Sequence, residues 1–310
     1  AISGYRVLSY NPTWTILPFC LPFVVRLKGS KLVHTTPDYA FFFKRKNTPL
    51  VITFHNYVLD PFMKRFSSTL QRIHYSTNLR WFTRLAVQQA DAVTAVSRFT
   101  ASLVQSDLQI KCPISVIYDG VDTGRFVPSP RSRVSNEIRV FFSGNLTWRK
   151  GAQWLLPIAK KLHKNIRIFY TTGLRANRPL PSHSQLVPIG AVPHREMPQR
   201  YQQMDILIMP TVREGFGMAV AEAMACGLPV VASDCSSIPE LVDDDKGGFL
   251  CPVGDTQAFA DRINHLAASE KSRNEMGDYN REKVRREFPL ERMVEGYRRL
   301  FSKAISMTNY

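Results

Sequence analysis

Two glutamates, Glu214 and Glu222, with seven residues between them, mark the stretch of this 310-residue sequence best equipped for chemistry. The run is Glu214-Gly215-Phe216-Gly217-Met218-Ala219-Val220-Ala221-Glu222-Ala223-Met224-Ala225-Cys226-Gly227-Leu228-Pro229, and it follows an apolar segment ending at Pro210. A strand up to Pro210, a glycine loop carrying Glu214 and a helix from near Gly217 would turn backbone N–H groups and a positive helix end outward. That arrangement suits a phosphate. Alanines at 219, 221, 223 and 225 let the helix approach a sheet closely. Glu222 lies more than a turn into it among small apolar neighbours, where an unpaired carboxylate is costly, so it needs a partner or a ligand hydroxyl. The plainer alternative makes the glycines mere turns and Glu222 a cap or local ion pair.

His55 ends the run Leu50-Val51-Ile52-Thr53-Phe54-His55, at the carboxyl edge where open α/β sheets hold ligands. A histidine there is otherwise often structural. His34, His74, His163, His183, His194 and His265 have no comparable context and read as structural or surface residues. Asp243-Asp244-Asp245 contains a D-x-D pattern, but within a turn-like segment, and reads as solvent-facing.

These residues need a scaffold, and the chain supplies short apolar runs alternating with helical periodicity, the pattern of parallel α/β architecture. Expected strands are 31–34, 50–55, 92–96 and 115–118, then 138–143, 166–170, 205–210 and 227–232. Ser97 is a plausible N-cap for a helix through Val104. Residues 66–90 read as one long helix or two short ones, and 258–268 and 290–305 as amphipathic helices. Pro128-Ser129-Pro130-Arg131-Ser132-Arg133 is the best linker in the sequence, with a second sheet starting after it. The expected division is 1–127, 128–289 and a C-terminal helix 290–310 returning towards the first part.

The glutamate window resembles the retaining glycosyltransferases of family 4, which have the GT-B fold: two Rossmann-like domains with parallel sheets facing a central cleft. Ile238-Pro239-Glu240-Leu241-Val242 and Gly247-Gly248-Phe249-Leu250 continue the resemblance. It implies that Glu214 sits beside the donor sugar, that Gly215, Phe216, Gly217 and Met218 contact sugar and diphosphate, and that Glu222 binds the ribose hydroxyls. A carboxylate suits a vicinal diol because it offers acceptors to two O–H groups at once. Ser143-Gly144-Asn145-Leu146-Thr147-Trp148-Arg149-Lys150-Gly151 resembles the family's G-R-x-x-x-x-K-G, whose Arg and Lys neutralise the donor diphosphate. Lys150 matches, while Asn145 stands where the Arg would be and brings no charge. Leaving-group stabilisation then rests on Lys150, helped by Arg149.

By the same resemblance His55 lies close to the transferred sugar. Gly190 and Val192 belong to a loop whose backbone reads the nucleobase, and Asp119-Gly120-Val121-Asp122…Phe126 is the domain crossover. The implied activity is transfer of a hexose-type sugar, with retention, from a nucleotide-diphospho-sugar, UDP-linked in preference to GDP-mannose. The acceptor is expected to be lipid-linked or a glycan, in polysaccharide or glycolipid assembly, with no cofactor and no metal. Rival readings are a GT-B epimerase or phosphorylase, the latter needing a pyridoxal-phosphate lysine that nothing identifies, and a non-catalytic sugar- or lipid-binding relic.

Charge and composition constrain the setting. Net charge is +16, and residues 1–130 carry 15 basic against 6 acidic side chains. With no helix-turn-helix, RNP or finger pattern, nucleic acid is not expected as a partner. Phe41-Phe42-Phe43 beside Lys44-Arg45-Lys46 suggests a face for anionic lipid, and hence a cytoplasmic enzyme peripheral on the inner membrane face. Trp14 to Val25 is apolar but only twelve residues long with two prolines, short of the roughly 20 needed to span a bilayer. Five cysteines without a C-x-x-C pair fit a reducing compartment. Only 30 residues precede the strand at 31–34, without a glycine-rich loop. The first domain is therefore expected to lack an opening strand and acceptor loop, leaving donor binding without efficient transfer.

Overall fold

The computed structural model describes residues 7–9, 11, 14, 18–25, 27, 29–66, 69–129, 136–173 and 179–308. The opening six residues and 130–135, which include the last four residues of the expected linker 128–133, lie outside them. Two units emerge: residues 1–118 with 291–310, and residues 119–290.

In the first unit β1 (Val33–Thr35), β2 (Leu50–Phe54), β3 (Ala92–Ala95) and β4 (Ser115–Val116) form a parallel sheet in that order. β2 is buried along its whole length, as a strand covered on both faces must be. Around it lie α1 (Leu21–Val24), α2 (Thr69–His74), α3 (Arg80–Gln89) and α4 (Arg98–Leu108). A π-helical turn at Tyr75–Leu79 joins α2 to α3, so of the two expected alternatives it is one long helix that forms over 69–89, underwound in its middle. Ser97 caps α4 as expected, its Oγ accepting from the Thr100 N–H at 3.0 Å. Phe42 and Phe43 are buried in this unit's core, with Phe42 and Phe82 rings 5.0 Å apart. Lys44 pairs with Asp91 at 2.5 Å. The expectation that Phe41-Phe42-Phe43 forms a lipid-facing patch is corrected here: two of the three rings are core.

The second unit contains β5 (Ile138–Phe142), α5 (Ala152–Ala159), β6 (Ile166–Tyr170), β7 (Leu186–Pro188), α6 (Met197–Gln202), β8 (Ile206–Met209), α7 (Met218–Ala225), β9 (Val230–Ser233), α8 (Ile238–Leu241), β10 (Gly248–Cys251), α9 (Thr256–Ala268) and α10 (Glu270–Glu287). Its sheet is wholly parallel, in the order β10-β9-β8-β5-β6-β7. Strand order reverses between β5 and β8, so the crevice beyond their carboxyl ends is the switch point where doubly wound sheets hold ligands. Val140, Ile168, Ile206 and Ile208 bury completely against Leu155, Ile158 and Ile263 of the covering helices.

The C-terminal helix α11 (Leu290–Thr308) belongs, but for its first residue, to the first unit. There Tyr297 and Phe301 pack with Val51. The division at 118/119 precedes the expected 127/128 because residues 119–127 fasten onto the second unit. Val121 N–H bonds the Phe288 carbonyl at 2.9 Å, and Leu290 N–H bonds the Val121 carbonyl at 2.9 Å. Arg281 donates to the carbonyls of Phe126 and Thr123 at 2.6 and 2.9 Å.

Candidate functional site

Lys150 reaches its place through backbone constraints. After β5, Thr147 caps a single 3-10 turn, Trp148–Lys150, which ends at Gly151 with φ +77°. A Cβ at Gly151 would stand 1.7 Å from the Pro210 carbonyl oxygen, so only glycine lets this turn touch the end of β8. Val212 N–H donates to the Arg149 carbonyl at 2.9 Å, with the Thr211 hydroxyl oxygen also 2.9 Å from it, and Arg149 Nη1 donates to the Arg213 carbonyl at 2.9 Å. The loops beyond β5 and β8 are thereby stapled together at the switch point.

The staple puts Lys150 Nζ 2.7 Å from Glu214 Oε1, with Thr211 Oγ1 donating to the same oxygen at 2.8 Å and Arg149 Nη1 3.9 Å from Oε2. Glu214 is buried. Burial would raise its carboxyl, but the Lys150 and Arg149 charges and the Lys150 and Thr211 hydrogen bonds outweigh that and hold it below the usual carboxylate range. Its backbone N–H is held by Ser236 Oγ at 2.9 Å, and Ser237 Oγ donates to the Phe216 carbonyl at 2.8 Å. The loop from β9 thus clamps residues 214–216. Gly217, at φ +110°, turns the chain into α7, and no side chain caps the helix there.

Glu222, also buried, lies inside α7 as expected, and two side chains bind it. The Tyr201 hydroxyl donates to Oε2 at 3.0 Å, and His194 Nε2 stands 3.2 Å from Oε1. Burial raises this carboxyl above its ordinary value, against the opposing effect of Tyr201 and His194. The Tyr201 oxygen is also 3.2 Å from Ser143 Oγ, on the residue that follows β5. Sequence reasoning passed over both partners. His194 follows the Ile189–Pro193 loop, and Tyr201 sits in α6, whose short sequence has no motif around it; no local spacing signals either.

Of the other expected residues, Gly144 is pinned by Thr171, whose Oγ1 both accepts from its N–H and donates to its carbonyl at 3.0 Å. Asn145 lies against Gly173, where a Cβ would come within 2.3 Å of Oδ1. The amide thus packs on the chain beyond β6, and the cations beside Glu214 are Lys150 and Arg149. Gly190, at φ +75°, and Val192 are half-buried in the loop after β7. His55 follows β2 in the first unit and is exposed. Its neighbour His34 bonds Thr53 Oγ1 at 2.7 Å, and burial first, then the His55 charge, lowers it to about 4. Asp243 binds Lys283 at 2.7 Å and Asp244 accepts from Leu250 N–H at 2.8 Å, so the acidic turn is tied into the scaffold. Among the described residues no group of three or more His, Cys, Asp or Glu is placed to hold a metal.

Residues 137–269 match the family Glycosyl transferases group 1, and residues 4–125 match Glycosyltransferase Family 4. The chain belongs to the group 1 glycosyltransferases of family 4. Among curated relatives of this glycosyltransferase chain, N-acetyl-alpha-D-glucosaminyl L-malate synthase of Bacillus anthracis is 24% identical over 70% of the chain and 61% of its own length. A putative colanic acid biosynthesis glycosyltransferase of Escherichia coli is 30% identical over 65% of the chain and 54% of its own length. The chain therefore spans just over half to three-fifths of these two relatives. Among solved structures, Anabaena HepE in complex with UDP-glucose superposes with a TM-score of 0.78 at 20% identity, covering 96% of the chain and 85% of HepE. The two Rossmann-like units of this family 4 chain have the GT-B fold.

Proposed function

We propose that the chain transfers a hexose-type sugar from a nucleotide-diphospho-sugar, UDP-linked in preference to GDP-linked, with retention at the anomeric carbon. The observation that carries this reading is the Lys150–Glu214 contact at 2.7 Å, set at the switch point of a doubly wound sheet beside the open N-terminus of α7. A diphosphate arriving there meets the ammonium of Lys150, the guanidinium of Arg149 and the first N–H groups of α7. These groups stabilise charge as it develops on the departing diphosphate, so the protein's main contribution is positioning and fixed electrostatics. Lys150 and Arg149 neutralise the diphosphate in this account, with no resident cofactor or metal assigned a role. Glu214 orients Lys150 and faces the donor sugar; Gly144, Asn145 and residues 215–218 wall the site. Gly190 and Val192 border the base, and Glu222 takes the ribose hydroxyls.

No nucleophile is assigned to either glutamate. In a front-face transfer the bond from anomeric carbon to phosphate oxygen breaks as the acceptor oxygen bonds to the same face, and the departing phosphate takes the acceptor proton. By the family resemblance His55 is assigned a place near the transferred sugar. The acceptor class is a glycan or a lipid-linked saccharide, with the basic first 130 residues favouring an anionic surface. Among the described residues no helix is long and apolar enough to cross a membrane.

The experiment is a screen of UDP- and GDP-sugars for thermal stabilisation and for slow sugar release, with the anomer of any transferred sugar read by NMR. One nucleotide sugar should stabilise and be turned over with the α-anomeric configuration preserved. Stabilisation by none would overturn the donor assignment, and an inverted product would overturn retention. Sedimentation with anionic and neutral vesicles separates the acceptor classes: indifference to both leaves a soluble acceptor.

A further inference from the structure

A carboxylate has about four acceptor positions, two on each oxygen. In Glu222 one position on Oε2 is filled by the Tyr201 hydroxyl and one on Oε1 by His194. One acceptor therefore remains on each oxygen, the number a cis-diol requires. Tyr201 is fully buried, and its single proton goes to the acceptor-only carboxylate, which leaves its oxygen to accept from Ser143. Ser143, Tyr201 and Glu222 thus form a directed chain of hydrogen bonds from the end of β5 to the middle of α7, each bond polarising the next.

His194 is held from a different side. Its ring is two-thirds exposed, yet its carbonyl accepts from Arg125 Nη2 at 2.7 Å and its ring lies 5.9 Å from that of Phe126. Phe126 also packs against Tyr201, with ring centres 6.1 Å apart, and its carbonyl is anchored by Arg281. Both partners of Glu222 are therefore braced by one segment, 122–126, with Asp122 capping the N–H groups of Gly124 and Arg125 at 3.1 and 3.0 Å.

We propose that Tyr201 and His194 are positioning residues that aim the two free acceptors of Glu222 at the 2′- and 3′-hydroxyls of the nucleotide ribose, and so set discrimination between ribo- and 2′-deoxyribonucleotides. The inference rests on the assignment of Glu222 to the ribose in the proposed function. It adds that the carboxylate alone is insufficient: a Glu222 free to rotate in its pocket would still accept a hydrogen bond, but would lose the paired geometry a diol needs. The site then rejects a 2′-deoxy sugar because one desolvated acceptor is left unmade.

Calorimetry of the whole chain with UDP, 2′-deoxy-UDP and GDP tests this. The wild-type chain should prefer UDP to 2′-deoxy-UDP by roughly tenfold. Tyr201→Phe and His194→Ala should weaken UDP by about that factor while changing 2′-deoxy-UDP little, so that the preference collapses. His194→Gln, which keeps an N–H donor, should restore much of it. A merely structural role would weaken both nucleotides alike, and a preference that survives in Tyr201→Phe and His194→Ala, with melting temperatures showing both variants folded, overturns the proposal alone. Failure of the wild-type chain to bind either UDP or GDP overturns the donor reading, and this inference with it.

Discussion

Glu214 is a buried acid kept charged by two cations, and its titration has a definite sign. Burial opposes ionisation, but Lys150, Arg149 and Thr211 more than offset it, so the folded-state value lies below the unfolded one. The ion pair's stabilisation is then fully present above the ordinary carboxylate range and is lost as pH falls through the depressed folded value. Glu214→Gln should melt below the wild type at neutral pH, with the gap narrowing towards strongly acidic pH. A gap that widens on acidification would mean that Glu214 is protonated in the native state. Glu222 has the opposite sign, because burial raises it and its two neutral-or-cationic partners only partly compensate. At this scale the sequence was informative where chemistry follows chain order: Glu214, Lys150 and Glu222 stand in local motifs. Tyr201 and His194 were not legible, because each meets Glu222 across more than twenty residues of chain, through the packing of α6 and the turn before it against α7.

Elements bring the motifs together. The turn at 148–150 and the loop at 211–214 come from different strands, and Gly151 is the residue that lets them touch. Gly151→Ala needs a left-handed backbone at a residue with a Cβ and meets the Pro210 carbonyl at an impossible distance. Strain of about 1–3 kcal/mol is expected, with Lys150 carried away from Glu214. Thermal melting should fall, and nucleoside diphosphate affinity should fall more than tenfold; unchanged affinity in a folded variant would remove the staple from the account. Ile166–Tyr170 and the other long apolar strands were readable from composition alone. α10 was not, because it is a strongly polar helix that buries little beyond Gly277, Asn280, Lys283 and Val284. It is held by its Ser269 cap and by Asn280 Nδ2 donating to the carbonyls of Leu228 and Gly247 at 2.8 and 2.6 Å. β7 ends on Pro188 and β10 opens on the Gly247-Gly248 pair, residues that read as turn signals and mask the short strands beside them.

For the whole molecule, two parallel-sheet units of the GT-B class follow from the α/β alternation and the family resemblance together. Side-chain direction was the harder question. Phe41-Phe42-Phe43 beside basic residues looked like a surface patch, yet Phe42 and Phe43 face the first unit's core while Lys44 is spent on Asp91. A run of like residues states how apolar a segment is, not which way it points. The account's central claim is that the second unit receives a nucleotide through its diphosphate, by way of Lys150. Calorimetry of UDP and uridine on the wild-type chain and on Lys150→Ala tests it most directly. The lost charge-assisted bonds, worth about 1.5–3 kcal/mol, should weaken UDP by roughly ten- to a hundredfold and leave uridine unchanged. Equal UDP affinity in the two proteins, with the variant folded, would contradict it.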